Sequence, residues 1–328
     1  MTLHIETPLI KSRALSLKTG RTVLLKLEGL QPSGSFKLRG VGFACEEHKR
    51  RGARRFVTAS GGNAGYAVAY AGRELGIPVT VIVPQTTSER ARALIRGEEA
   101  EVVVHGASFS ESNDHAHSIL GDGDAYLHAF DDPLLWEGHA TMVEEIARQT
   151  ERPDLLVCSV GGGGLLAGVV EGLRRVGWSD IPVLAVETDG ASSYNEALKT
   201  GAPVALPKIQ SVATSLGANK VAARIVALAR EHQIQNCLVT DAEAIQGSVT
   251  LLEEHRLLTE PACGASVAAL ARVPEYFPDA QRIVVIACGG VGTTSQQLLE
   301  WSDFYRPESD QAFAGHSDEV NSPGSQQP

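Results

Sequence analysis

The chain has 328 residues, 43% hydrophobic and 21% charged, with 29 Lys+Arg against 39 Asp+Glu for a formal net charge of −10. At roughly 150 residues per domain, that length supports about two domains or one large α/β unit with a sizeable core. The acidic balance argues against a general nucleic-acid or anionic-membrane surface, because neither polyanion would be attracted. No apolar run approaches the roughly 18 residues of a membrane span. The N-terminus, Met1-Thr2-Leu3-His4-Ile5-Glu6, lacks the basic-then-apolar pattern of a signal peptide. Cys45, Cys158, Cys237, Cys263 and Cys288 are scattered, odd in number and without a CxxC pair, which argues against a disulfide framework or a zinc site. The expectation is a soluble, cytoplasmic α/β protein.

In chain order, the first informative segment is Gln31-Pro32-Ser33-Gly34-Ser35-Phe36-Lys37-Leu38-Arg39-Gly40. A turn of Pro, Ser and Gly delivers one lysine between an aromatic residue and the start of a predicted helix. Residues 55–58 read as a short strand, followed by Ser60-Gly61-Gly62-Asn63-Ala64-Gly65, a helical stretch to Leu75, a Gly76 stop and a strand over 79–83. The pattern returns at 155–160, with Gly161-Gly162-Gly163-Gly164, a helix to Val176 and a strand over 183–186. It returns again at 283–287, with Cys288-Gly289-Gly290-Val291-Gly292 and a helix from about Thr294. Strand, glycine turn and helix in this order are the signature of open parallel sheets that bind ligands at strand C-termini. Residues 307–328 hold no Lys or Arg, four acidic residues and many Ser, Pro, Gly and Gln, so a disordered acidic tail is expected there.

The run Gly161 to Gly164 is poor for stability and suits a place where backbone must approach a ligand closely. At a helix N-terminus its free N–H groups and the positive dipole end suit a phosphate. The run is not a P-loop, since no Lys-Ser/Thr follows. The dinucleotide fingerprint fits only with Ala167 as its last member. Glu187 lies nearby, so a dinucleotide-binding oxidoreductase stays open as a disfavoured alternative. A lysine plus a separate phosphate cradle is the minimum equipment for a pyridoxal phosphate (PLP) enzyme, with a Schiff base at one end of the cofactor and a phosphate grip at the other.

Six segments then make the sequence similar to a known family. They are residues 32–40 and 60–65, Phe130-Asp131-Asp132-Pro133-Leu134-Leu135-Trp136-Glu137-Gly138-His139, residues 159–166, Glu260-Pro261-Ala262-Cys263-Gly264-Ala265, and Cys288-Gly289-Gly290. Together they resemble the PLP-dependent serine/threonine dehydratases of the tryptophan synthase β-like fold (fold type II), in family order over about residues 4–300, and look closest to the animal-type L-serine dehydratases. The resemblance implies two open, mostly parallel twisted sheets with flanking helices. It implies a larger cofactor-binding domain of 1–39 plus 134–306 and a small domain of 40–133. Lys37 would hold PLP and, once displaced by substrate, remove the Cα proton. Phe36 would pack on the pyridine ring, with Ser215 beside it, and Asn63 would serve the 3′-oxygen. Gly161, Gly162, Gly163 and Gly164 would bind the phosphate. Cys288 would face the pyridine nitrogen without forcing it into its protonated form. Ser60, Gly61, Gly62, Asn63 and Ala64 would hold the substrate carboxylate. A monovalent cation, potassium, would sit among Gly161, Glu187, Ala191, Ser193, Leu216 and Ala218, because a carboxylate plus carbonyls suits a hard cation.

The implied activity is α,β-elimination on L-serine and L-threonine to pyruvate or 2-oxobutanoate plus ammonia. The implied partner is a small amino-acid substrate, and the implied assembly is a homodimer, with no nucleic acid or membrane involved. Three departures bear on substrate. Gly61 stands where close relatives often have Ala and racemase-like relatives Ser, which disfavours a racemase and predicts a wider, looser pocket. Ser215 replaces a usual Ala, and Val291-Gly292 a common Ser-Asn. Elimination or replacement on another β-substituted amino acid (a 3-hydroxyaspartate, an aryl serine) and a low-activity paralogue remain alternatives. His115 and His117 are read as helix surface. Asp131-Asp132 is read as a turn and helix start, and Glu260 is given no role.

Overall fold

The structure is a computed structural model and describes residues 2–305, so the expected acidic tail lies outside the described residues. It is α/β, built on two mostly parallel sheets. The strands are β1 (Leu9–Lys11), β2 (Thr22–Leu27), β3 (Arg55–Ala59), β4 (Val79–Val83), β5 (Glu101–Val104), β6 (Asp124–Tyr126), β7 (Leu155–Ser159), β8 (Val183–Thr188), β9 (Ile234–Val239) and β10 (Arg282–Ala287). The helices are α1 (Arg13–Thr19), α2 (Lys37–Arg50), α3 (Asn63–Leu75), α4 (Glu89–Gly97), α5 (Phe109–Ser118), α6 (Pro133–Gln149), α7 (Gly164–Arg175), α8 (Ser193–Thr200), α9 (Ala223–Glu231), α10 (Asp241–His255), α11 (Pro261–Ala268), α12 (Val273–Tyr276) and α13 (Ser295–Phe304). Among the described residues, no helix is long and apolar enough to cross a membrane.

The six-stranded sheet runs β1-β2-β10-β7-β8-β9 with β1 antiparallel and the rest parallel, and the four-stranded sheet runs β5-β4-β3-β6, all parallel. Strands β4, β7 and β8 are buried along their whole length, as near-continuous Val, Leu and Ala runs require when helices cover both faces. Each sheet changes winding direction once. From β7 the chain moves outward through β8 to β9, then returns to lay β10 on the other side of β7. From β3 it moves through β4 to β5, then lays β6 on the other side of β3. Flanking helices diverge at such switch points and leave a crevice beyond the strand C-termini. The loops after β7, β10, β3 and β6 therefore border crevices.

Helix α6 begins where Asp131-Asp132 predicts. Asp132 caps it, with Oδ1 accepting the Leu134 N–H at 2.8 Å and Pro133 in the first turn. Helices α2, α6 and α7 meet closely, because a Cβ on Gly40 would lie 2.5 Å from the Leu135 carbonyl, one on Gly138 2.3 Å from the Arg39 carbonyl, and one on Gly168 2.2 Å from His139 Cβ.

Helix α2 is rooted in charge. Arg39 is fully buried and donates to both carboxylate oxygens of Glu28, through Nε and Nη2 at 2.7 Å each. Its Nη1 and Nη2 also reach Oε1 and Oε2 of Glu145 on α6 at 2.7 Å each. Lys26 on β2 donates to Glu145 at 2.5 Å and to the Thr7 carbonyl at 2.7 Å. Two cations thus face two carboxylates, all buried. Arg39→Met would leave the pair of carboxylates against one lysine. A loss of about 3–5 kcal/mol is expected, read as a lower urea midpoint at unchanged slope; a midpoint within error of wild type would refute it.

Candidate active site

Lys37 opens α2, immediately after the Pro-Ser-Gly turn, and is half-buried. The turn is tied to the loop after β10: Phe36 N–H donates to the Cys288 carbonyl at 3.1 Å, and Gly290 N–H to the Gly34 carbonyl at 2.8 Å. Lys37 Nζ lies 5.2 Å from the Phe36 ring centroid and donates at 2.6 Å to the carbonyl of Ala129, in the loop after β6. Burial lowers its pKa to about 8, because a charged ammonium is poorly solvated there. Phe36 in turn packs tilted against His139, with ring centroids 4.9 Å apart. His139 is buried, and its Nδ1 accepts the Gly40 N–H at 3.2 Å. Burial and the Lys37 and Arg39 cations hold its pKa well below the usual range, so the ring is neutral and its proton sits on Nε2, which has no partner.

The loop after β3 ends at Gly62, which caps α3, and Asn63 is the first residue of that helix. The N–H groups of the first turn have no intrahelical acceptor, the arrangement that receives an anion. Asn63 Oδ1 accepts the Val291 N–H at 3.0 Å, while Nδ2 donates to Glu260 Oε2 at 3.0 Å and Ser215 Oγ at 3.2 Å. Glu260 precedes α11, is 5% exposed, and also accepts from the Ser215 hydroxyl and, at 2.6 Å, from the Gly292 N–H. Burial raises its pKa from the usual carboxylate range.

The four glycines lie where the sequence predicts, Gly161 to Gly163 between β7 and α7 and Gly164 as the first residue of α7. Gly163 has φ of 100°, a left-handed conformation that favours glycine. A Cβ on Gly162 would fall 2.2 Å from the Phe130 ring, so the loop is also narrowed by what packs on it. Cys288 directly follows β10 and is 7% exposed. The neighbouring Cys263 and burial push its pKa well above the ordinary thiol range, so Cys288 is a neutral thiol.

Gly61 does not open the pocket, contrary to the sequence expectation. A Cβ there would lie 2.4 Å from Thr87 Oγ1 and 2.6 Å from its methyl group, so Thr87 fills the space that an alanine or serine would take. Among the cation candidates, Glu187 is the penultimate residue of β8 and Ser193 begins α8. Ala191 and Leu216 lie in short 3-10 turns, with Ala218 just after the second. A Cβ on Gly161 would sit 2.9 Å from the Ser215 carbonyl and 3.1 Å from Leu216 Cα. Glu187 already accepts N–H groups of Tyr194 at 2.7 Å, Asn195 at 2.8 Å and the Asn236 amide at 3.2 Å, and burial pushes its pKa up to about 7. Ser193 Oγ is buried with no partner. His115 stacks on His105 at 3.9 Å and His117 packs on Tyr126 at 4.1 Å; no group of three or more His, Cys, Asp or Glu among the described residues could hold a metal.

Sequence reasoning missed three participants and left a fourth, Glu260, without a role. The Ala129 carbonyl is a backbone atom with no side-chain signal, and Thr87 comes from the loop after β4. His139 and Glu260 stood inside quoted motifs, but nothing local says that their side chains turn towards Phe36 or Asn63.

Residues 1–289 match the family described as pyridoxal-phosphate dependent enzyme. The L-serine dehydratase/L-threonine deaminase of Mus musculus is 45% identical over 307 residues, which cover 90% of this chain and 94% of its own. A serine dehydratase-like protein of the same species is 46% identical, covering 90% and 93%. Among solved structures, a fungal L-serine ammonia-lyase from Rhizomucor miehei superposes with a TM-score of 0.88 at 31% identity, over 93% of this chain and all of the other. A family match across most of the length, over a fold whose strand-end loops gather a lysine with a lowered pKa and a four-glycine turn, has one meaning: the chain belongs to the pyridoxal-phosphate dependent enzymes.

Proposed function

We propose that this chain eliminates water from L-serine and L-threonine, giving pyruvate or 2-oxobutanoate and ammonia. The observation that carries this is a linked set of contacts: Lys37 on the Ala129 carbonyl, Phe130 against Gly162 of the 161–164 turn, Asn63 on Ser215, and the Phe36 N–H on the carbonyl of Cys288. The residues fit the cofactor: the α7 N-terminus offers free N–H groups to a phosphate, and Lys37 has the lowered pKa of a nucleophilic amine. When bound, PLP supplies an electrophilic carbon for the amino group and a conjugated ring that takes up the electron pair left at Cα.

Lys37 would hold the cofactor, then accept the Cα proton on Nζ. Phe36, backed by His139, would flank the ring. The first turn of α3, with Ser60, Gly61, Gly62 and Ala64, would orient the substrate carboxylate. The neutral Cys288 thiol would not force a proton onto the ring nitrogen, which suffices where a β-hydroxyl can depart. The Cα hydrogen and β-hydroxyl leave as water, and the resulting enamine hydrolyses to the 2-oxo acid and ammonia. Thr87 beside Gly61 keeps the pocket small and supports the short substrates over aryl serines.

Potassium is part of the same proposal, supported by the unpartnered Ser193 hydroxyl beside Glu187. So is the division into 40–133 and 1–39 plus 134–306, closing over the crevice. A cytoplasmic setting is supported by five free, buried cysteines, and a homodimer by family analogy.

With PLP and potassium present, L-serine and L-threonine should release 2-oxo acid, and Lys37→Ala should lower turnover by at least about a hundredfold; undiminished turnover of the variant would sink the proposal. A second expectation concerns pH. Protonated Lys37 has no free electron pair, so cofactor uptake by cofactor-free protein should rise with pH through about 8 and level off above it. Stopped-flow absorbance checks this, and a flat profile between pH 6 and 9 would contradict it. Exchanging potassium for lithium, too small for a carbonyl-lined site, should lower the thermal midpoint of the holoenzyme, reversibly on returning potassium.

A further inference from the structure

Glu260 is a buried carboxylate that the elimination chemistry does not use, yet it touches the residue meant to serve the cofactor's ring oxygen. Its carboxylate has three partners. The Ser215 hydroxyl donates to Oε2. The Gly292 N–H donates to Oε1 at 2.6 Å. The backbone passes close to it: a Cβ on residue 292 would lie 2.6 Å from Oε1, and one on Gly290 2.2 Å from Glu260 Cδ. The loop after β10 is thus moulded over the carboxylate.

The third partner is Asn63. Its Oδ1 is fixed by the Val291 N–H and one of its amide hydrogens by Glu260, which removes the amide's freedom to flip. The second amide hydrogen rests on Ser215 Oγ at 3.2 Å, the longer of the two contacts. Ser215 can accept there because its own proton is committed to Glu260. We infer that Glu260 is a positioning residue: with Ser215 and the Gly292 N–H, it aims the Asn63 amide so that one N–H stays anchored and the other is free to pass from Ser215 to the ring oxygen of the cofactor. This rests on the PLP reading above. The titratable and charged groups facing Glu260 are few: Arg90 favours its ionised form, and the sulfurs of Cys263 and Cys288 stand close by.

The test is Glu260→Asp, which keeps the charge but withdraws both oxygens by one methylene. Cofactor-free protein carrying it should bind PLP about tenfold more weakly by absorbance titration, as the loss of a charge-assisted hydrogen bond implies. The pH at which the visible band of the bound cofactor changes should also move upward, because the ring oxygen loses a donor that favours its anionic form. A residue with only a packing role would lower the thermal midpoint and leave that pH unchanged. Wild-type affinity together with an unmoved band would overturn the inference. If Glu260→Asp does not fold, Ser215→Ala should shift the same two readouts in the same direction by less, and no shift there is equally decisive. Wild-type protein that takes up no PLP would instead remove the cofactor reading itself, a distinguishable failure.

Discussion

A guanidinium two residues beyond Lys37 carries much of this structure. Arg39 is enclosed by Glu28 and Glu145, and through them by Thr7 and Lys26, so a strand, the N-terminal segment and two helices meet at one buried point. Only a planar fork can serve two carboxylates at four such contacts; a lysine ammonium lacks the reach and the geometry. The apolar layers on either side could tolerate a small slide of α2 along the sheet. The ion cluster cannot, since any slide exposes buried charge to apolar surroundings. Lys37 sits at the end of the helix so fixed, and this is why one rotatable side chain can be delivered to a defined place.

The remaining members of the site follow from winding rather than from sequence proximity. Two sheets that each reverse direction once give two crevices, and the loops after β3, β6, β7 and β10 line them. Lys37 Nζ reaching the Ala129 carbonyl and Asn63 reaching Glu260, Ser215 and the Val291 N–H are among the links from one sheet's loops to the other's. Groups that meet within a few ångströms are thus far apart along the chain, as with Asn63 and Glu260, separated by 197 positions.

That distribution explains what could be read in advance. The βα units were legible because a parallel strand buried on both faces is a solid apolar run, and a glycine turn before a helix marks its end. Lys37 and the 161–164 turn stood out for the same local reason. Gly61 misled because an absent side chain reads as empty space, whereas Thr87, brought in by the following loop, occupies it. His139 and Glu260 were hidden differently. Their residue types were visible, but the burial that makes one imidazole neutral and one carboxylate a tether is set by elements that pack on them from elsewhere in the chain.

The close meeting of α2, α6 and α7 has a consequence for how this molecule can change. Gly40, Gly138 and Gly168 each face backbone or the root of His139 at distances that admit no methyl group. Enlarging any one of them requires α6 to part from α2 or from α7, the helices that carry Lys37 and follow the glycine turn. The scope for sequence drift is therefore lopsided: the outer faces of these helices can be rewritten residue by residue, while their shared seam can change only by concerted replacement on two helices at once.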